Sequence, residues 1–259
     1  MFGLFKSKSA PDLLVDPPDL GEGRRVYAIG DIHGRLDLLT ELIDKIADDD
    51  LARGPVGATQ LVMLGDFVDR GPDSAGVLDF VMQLREWWPD VTCLQGNHEE
   101  VFLMAARGDE SALRFMTRIG GRETLLSYGA TENDLDQMTL GQLRDWLMTA
   151  VPERHLQFME SMEEKVLIGN YAFVHAGIRP QVPMDEQESR DLRWIRDEFL
   201  NFDAPHQYFV VHGHSITSGV EQRGNRMGID TGAYVSGVLT AVGLEGTEQW
   251  FLSTSAYAG

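Results

Sequence analysis

The sequence predicts an α/β fold of two facing sheets with helices outside, a four-layer αββα sandwich carrying a helical insertion. Three observations predict it. A strand, loop and helix plan recurs three times between Arg25 and Arg107; the stretch from Ser111 to Met162 has short helical patterns and no strand pattern; and apolar strand-length runs return from Lys165 onward. Strands alternating with helices at these lengths indicate parallel βαβ units, whose right-handed crossovers bring their loops to one sheet edge. In open α/β sheets that edge is where ligands bind. A chain of 259 residues with 43% hydrophobic content suits one such domain with an ample core.

Taken in order, residues 1–24 are rich in Pro, Asp and Ser without periodicity and read as a flexible leader before a single domain over 25–259. The first unit is the run Val26-Tyr27-Ala28-Ile29, a Gly30-flanked loop, and a helix with Leu36, Leu39, Leu42, Ile43 and Ile46 at helical spacing. Leu61 to Leu64 opens the second unit, whose helix buries Val77, Leu78, Val81 and Leu84 and closes near Pro89. Val91 to Gln95 opens the third, with a helix from Glu100 to about Arg107.

The insertion, about 108–162, turns at Gly120-Gly121 and carries a capping-box pattern at Thr139 and Gln142. Lys165 to Ile168 and Tyr171 to Val174 flank Gly169-Asn170, a two-residue hairpin turn. A helix from about Glu188 to Leu200 precedes the strand Tyr208 to Val211. Met227 to Ile229, Gly237 to Val242 and Glu248 to Leu252 are expected as antiparallel strands completing the second sheet.

The net charge of -19 argues against a protein that tracks nucleic-acid phosphates, and an acidic exterior does not favour anionic membranes. Cys93 is the single cysteine, in an apolar run, so no intrachain disulfide forms and a cytoplasmic setting is expected. No run is long and apolar enough for a signal peptide or a membrane span.

Five strand ends each deliver polar residues to what should be one rim. They are Asp31 and His33; Asp66, Asp69 and Arg70; Asn97 and His98; His175; and His214. Asp, His and Asn converging from separate elements are what a metal site requires, and the Arg70 guanidinium offers a planar fork for phosphate oxygens. Two divalent ions about 3.5 to 4 Å apart can generate a hydroxide at neutral pH and clamp both oxygens of an in-line displacement. With two such ions, two carboxylates and one hydroxide, the centre keeps a charge of about +1 and draws in a phosphate dianion.

Gly30-Asp31-Ile32-His33-Gly34, Gly65-Asp66-Phe67-Val68-Asp69-Arg70-Gly71, Gly96-Asn97-His98-Glu99, His175-Ala176-Gly177 and Gly213-His214 together resemble the signature blocks of the phosphoprotein phosphatases within the calcineurin-like metallophosphoesterases. They stand in family order, and Gly120-Gly121 and Trp194-x-Arg196 resemble the bacterial and phage branch. The resemblance implies that Asp31 and His33 hold a first metal, that Asn97, His175 and His214 hold a second, and that Asp66 bridges them. It implies His98 as general acid, Asp69 as the carboxylate orienting it, and Arg70 and Arg196 as phosphate ligands. Oxygen and imidazole donors suit manganese, iron or zinc, and the bacterial branch points to manganese.

Two departures narrow the branch. Ile216 stands where the wider superfamily often has a histidine, so the first metal should have fewer protein ligands, and in this the chain resembles the phosphoprotein phosphatases. Asp69 is an acid where the similar symmetrical diadenosine tetraphosphate hydrolases typically lack one. The expected activity is therefore hydrolysis of phosphoserine and phosphothreonine in phosphoproteins or phosphopeptides, with a dinucleoside polyphosphate as the alternative substrate. His155, His206 and His212 are expected outside the site, on a helix surface, in a loop and at a strand end, with His212 a candidate support for His214.

Overall fold

A computed structural model describes residues 13–14, 16–88 and 90–254. The first half builds β1 (Arg24–Ile29), α1 (Leu36–Arg53), β2 (Ala58–Met63), α2 (Ser74–Trp87), β3 (Val91–Cys93) and α3 (Asn97–Ala106). The insertion follows as α4 (Glu110–Ile119), α5 (Gly121–Ser127), α6 (Glu132–Gln137), α7 (Leu140–Ala150) and α8 (Glu153–Glu160). The second half comprises β4 (Lys165–Ile168), β5 (Tyr171–Val174), α9 (Ser189–Trp194), α10 (Asp197–Leu200), β6 (Phe209–His212), β7 (Glu221–Gln222), β8 (Arg226–Gly228), α11 (Ala233–Ser236), β9 (Thr240–Glu245) and β10 (Glu248–Ser253).

Two five-stranded sheets result, ordered β10-β9-β1-β2-β3 and β4-β5-β6-β8-β7. Alternation along the strands produces the layers. Val26, Ala28, Val62 and Leu64 face Tyr171, Phe173, Phe209 and Val211 in the core between the sheets. Tyr27, Ile29, Leu61 and Met63 point the other way, under α1, α2 and the insertion. Ala172, Val174 and Val210 pack under Leu192 and Phe199 from α9 and α10. This is the four-layer sandwich with a helical insertion. Thr139 and Gln142 form the expected capping box, with Gln142 Oε1 accepting the Thr139 N–H at 2.9 Å.

Three elements differ from expectation. The C-terminal hairpin of β9 and β10 extends the first sheet, not the second, with β9 antiparallel to β1. Pairing there sets Glu245 against Arg25, whose Nη2 lies 2.7 Å from Glu245 Oε2. The ring of Trp250 covers Gly243, where a Cβ would stand 2.1 Å from an indole carbon. The run Met227 to Ile229 contributes to β8, which pairs parallel to β6. Lastly, the helix expected over Glu188 to Leu200 breaks at Ile195-Arg196, where Arg196 takes φ -134° and ψ -99°.

Most of the leader, residues 1–12 and 15, lies outside the described residues. Where it is described it joins the fold: Leu20 is buried in the inter-sheet core, and its N–H donates to the Gly246 carbonyl at 2.8 Å. Among the described residues no helix is long and apolar enough to cross a membrane. Leu20→Ala is expected to lower the unfolding free energy by about 2–5 kcal/mol, the usual cost of a buried leucine. Urea denaturation checks this, and an unchanged midpoint would show that the segment is dispensable.

Candidate metal centre

Every loop named from the sequence leaves its strand at the same rim, and backbone bonds tie the loops together. The N–H groups of Ile32 and His33 both donate to the Asp66 carbonyl, at 3.1 and 2.7 Å, and the Gly213 N–H donates to the His175 carbonyl at 2.8 Å. Among the described non-glycine residues, positive φ occurs at His33, Asp66, Asp69, Arg70, Gln181 and His214. All but Gln181 are predicted site residues. Left-handed backbone at a residue with a Cβ costs about 1–3 kcal/mol and persists only where its surroundings impose it.

Glu99 imposes much of it. Its buried carboxylate accepts the N–H groups of Asp66 (2.9 Å), Phe67 (2.8 Å), Val68 (3.2 Å) and Gly96 (2.9 Å), so one side chain fixes the whole turn after β2. Burial raises its pKa to about 7, the Asp66 charge adding to the effect. Glu99 reaches the turn because α3 starts at Asn97 and not, as expected, at Glu100. Glycine is required where these loops meet, since a Cβ on Gly96 would stand 2.1 Å from Asp66 Oδ1.

Asp66 sits at the centre. Its Oδ2 lies 3.4 Å from His33 Nε2 and its Oδ1 lies 3.4 Å from His175 Nε2. Two trios could each hold a metal ion, His33, Asp66 and His98, and Asp66, His175 and His214, with donor atoms within 4.8 Å of one another. Asp66 belongs to both. His33 Nδ1–H donates to the Val68 carbonyl at 2.8 Å and His175 Nδ1–H to the Leu64 carbonyl at 2.9 Å, which leaves each Nε2 with a lone pair facing inward. Asn97 Oδ1 is 3.0 Å from His175 Nε2, two buried acceptors that call for a cation between them. His214 Nε2 is buried with no hydrogen-bond partner.

The electrostatics agree with that donor set. Burial depresses the His33 pKa to about 3 and the His214 pKa to about 2, and lowers His175, so all three imidazoles are neutral and able to accept a cation. Burial alone would raise Asp66, but the surrounding imidazoles, His175 foremost, hold it far below the usual carboxylate range. Neither trio includes Asp31, expected on the first metal, and the first includes His98, expected as the proton donor; Asp31 lies near Asp66 and accepts the His214 N–H at 2.9 and 3.2 Å. Burial and the adjacent Asp230 and Asp66 carboxylates hold it well above its ordinary value. Three clustered buried carboxylates and neutral imidazoles form a site that a divalent ion fits.

His98 is buried, its Nδ1 2.7 Å from Asp69 Oδ2. Burial would lower its pKa, but Asp66 and the hydrogen-bonded Asp69 outweigh that and raise it. Arg70 reaches in, with Nη1 donating to His33 Nε2 at 2.9 Å and Nη2 to His98 Nε2 at 3.0 Å. Its guanidinium carbon lies 4.9 Å from the centre of the Tyr234 ring. Arg196 is exposed at the break between α9 and α10, in a cavity of about 370 Å³ that Arg179 and Trp194 also line. Trp194 in turn meets the His214 ring at 6.5 Å.

Sequence reasoning passed over two groups. Asp230 ends β8 as the other acids end their strands, is buried, and keeps Oδ2 without a partner. Glu99 stood inside a recognised block without a role. The excluded histidines are all buried. His155, expected on a surface, bridges Tyr128 Oη (2.8 Å) and Asp79 Oδ1 (2.9 Å); His206 stacks between Phe199 and Phe202. His212 does not support His214, since its Nδ1 faces the Gly213 carbonyl and its ring packs against Phe199.

The sequence profile of the calcineurin-like phosphoesterases matches residues 24–237. Serine/threonine-protein phosphatase 1 of Salmonella typhimurium is 29% identical, over 84% of this chain and 90% of its own length. Symmetrical bis(5'-nucleosyl)-tetraphosphatases of Nitrosospira multiformis and Dechloromonas aromatica are 29% and 31% identical over 63% and 60% of this chain. The chain spans less than half the length of those two relatives, 47% and 44%. Among solved structures, one assigned provisionally as a diadenosine tetraphosphatase superposes with a TM-score of 0.62 at 21% identity, covering 97% of this chain and 100% of its own. A cold-active protein-tyrosine phosphatase of a Shewanella species superposes with 0.52 at 20% identity, covering 93% and 83%. These likenesses establish the fold.

Glu99→Gln keeps the shape of the clamp but presents an amide N–H₂ to backbone donors. Expected is a loss of about 1–3 kcal/mol, the cost of unpaired buried donors, together with weaker metal retention after dialysis. Denaturation and elemental analysis read the two effects, and full metal retention would show that the turn holds without its clamp.

Proposed function

Because the chain belongs to the calcineurin-like phosphoesterase family, we propose that it is a phosphomonoester hydrolase that removes phosphate from serine and threonine side chains of proteins. One observation carries this reading: the buried His98–Asp69 pair at 2.7 Å, a proton donor with its own orienting carboxylate. Serine and threonine leave as alkoxides, which need a proton as the P–O bond breaks. A nucleotide leaves a polyphosphate as a stabilised anion and needs one far less. The phosphatase from Salmonella typhimurium, matched over 90% of its length, supports the same reading.

Asp31 and His33 would hold one divalent ion, Asn97, His175 and His214 a second, and Asp66 both. Manganese is the ion we propose, with iron and zinc compatible with the donors. The ions, when bound, supply an activated water at neutral pH and positive charge for the phosphoryl oxygens. The chain's own residues do the rest. Arg70 and Arg196 orient the phosphate, and as Arg70 turns to those oxygens it frees His98 Nε2 to take up a proton from solvent, which it then gives to the leaving oxygen. Asp69 holds the His98 ring throughout. The single cysteine, Cys93, is buried, with its pKa raised to about 12 by burial, in keeping with a reducing cytoplasm.

Chelation should abolish activity and manganese should restore it. His98→Asn should lower kcat on a phosphoserine peptide by about 10²- to 10⁴-fold, with metal content intact. Because the His98 pKa is raised, the donor is protonated below that value and kcat should fall as pH rises through it. That alkaline limb should vanish in the variant. Loss of metal from His98→Asn would mark His98 as a ligand instead.

The similarity to tetraphosphatases favours a second reading, symmetrical hydrolysis of diadenosine tetraphosphate. A panel decides: kcat/KM is expected to be higher for phosphopeptides, and a preference for the dinucleotide would establish the alternative.

A further inference from the structure

The helical insertion touches the proposed reaction centre at one corner, where α4 passes into α5. Gly120 takes a left-handed conformation there, φ 116°, and its carbonyl accepts the Arg70 N–H at 2.7 Å. A Cβ at this position would stand 2.5 Å from Arg70 Cγ, so the corner closes only around glycine. The Ile119 carbonyl accepts Arg70 Nε at 3.3 Å.

One turn further, Thr124 is fully buried and its hydroxyl donates to Asp69 Oδ1 at 2.7 Å. The same oxygen accepts the Asp69 N–H at 2.9 Å and lies 2.9 Å from Ser74 Oγ. A threonine hydroxyl has one proton and two lone pairs. With its proton on Asp69, Ser74 must donate to it, and every position is filled. The carboxylate is thereby held between two donors, Thr124 on Oδ1 and His98 Nδ1 on Oδ2. Asp69 is itself left-handed, φ 70°, so backbone preference does not aim its side chain.

We infer that Thr124 is a positioning residue for the proton donor, acting on His98 through Asp69. The inference rests on the phosphomonoesterase reading above. Its consequence is specific to the leaving group. Misaligning a general acid penalises an ester whose alcohol leaves poorly, and hardly affects one whose leaving group departs without a proton. A role confined to packing would slow both esters alike.

The test uses the full chain loaded with manganese. Thr124→Val, which keeps the shape and removes the hydroxyl, should lower kcat on a phosphoserine peptide by about 10- to 100-fold, and on para-nitrophenyl phosphate by less than about threefold. KM and metal content should hold, and Thr124→Ser should recover most of the loss. Equal losses on both esters, a change confined to KM, or a serine variant as slow as the valine one would overturn the inference. Should the valine variant not fold, Ser74→Ala removes the hydroxyl that donates to Thr124 and that shares the Asp69 N–H at 3.0 Å, and the same leaving-group dependence is expected in weaker form. A crystal structure of Thr124→Val gives a readout independent of turnover: the Asp69–His98 contact should lengthen beyond hydrogen-bond range, and its retention would overturn the role. If the unaltered protein hydrolyses neither ester, the phosphomonoesterase reading fails, and the crystal structure alone decides what Thr124 does.

Discussion

Asp66 is a buried carboxylate in a left-handed backbone conformation, and neither condition persists without compensation. The compensation explains much of the local architecture. The backbone N–H of His98 donates to Oδ1 at 3.1 Å, and the neutral rings of His33 and His175 turn their Nε2 atoms toward the same carboxylate, a donor set that a cation would complete. Glu99 ties down the N–H groups of Asp66, Phe67 and Val68. The loops can converge only because Gly65 and Gly96 carry no side chain where their backbones approach. Ligating atoms contributed by several strand ends thus share one buried acidic pocket, an arrangement that a cation fits.

That sharing explains what the sequence made legible. Each strand end could be recognised locally, since an apolar run followed by Gly and a polar pair is a pattern in consecutive residues, and helical spacing placed α1 and α2. Less legible were features decided across the sheet. Alternation in β9 reads the same in either sheet, and its placement is fixed by the Arg25–Glu245 pair and by Trp250, whose Nε1 donates to Asp49 of α1 at 2.8 Å. The break at Arg196 follows from the chain turning between α9 and α10, and no glycine or proline marks it. Asp230 follows an apolar run much as the recognised acids do, but consecutive residues do not show that this run lies parallel to β6, where the expected strand is antiparallel. Glu99 was hidden for another reason: a buried carboxylate that accepts four amides looks, in sequence, like any acid in the first turn of a helix.

The insertion is more than a wall to the cleft. A chain of hydrogen bonds from the exposed Asp79 in α2 through the buried His155 in α8 to Tyr128 after α5 fixes it to the first helical layer. The same α5 carries Thr124, which grips Asp69. Polar networks of this kind are costly when half-satisfied and specific when complete. The insertion is therefore held in one register relative to the turn after β2, and Asp69 and Arg70 inherit it.

The distribution of charge then bears on the substrate. With a net charge of -19, the exterior repels polyanions at long range, and more strongly the more charge they carry. A single phosphomonoester on a protein brings one small anionic group, which the arginines and the cations proposed for the rim would attract at short range. A dinucleoside polyphosphate brings several negative charges along its length and must lie across that exterior. It also has little use for a carboxylate-oriented imidazole, since its leaving group is already a stable anion. On the reading proposed above, a buried carboxylate-oriented imidazole inside an acidic shell is better matched to an alcohol bearing one phosphate than to a chain of them.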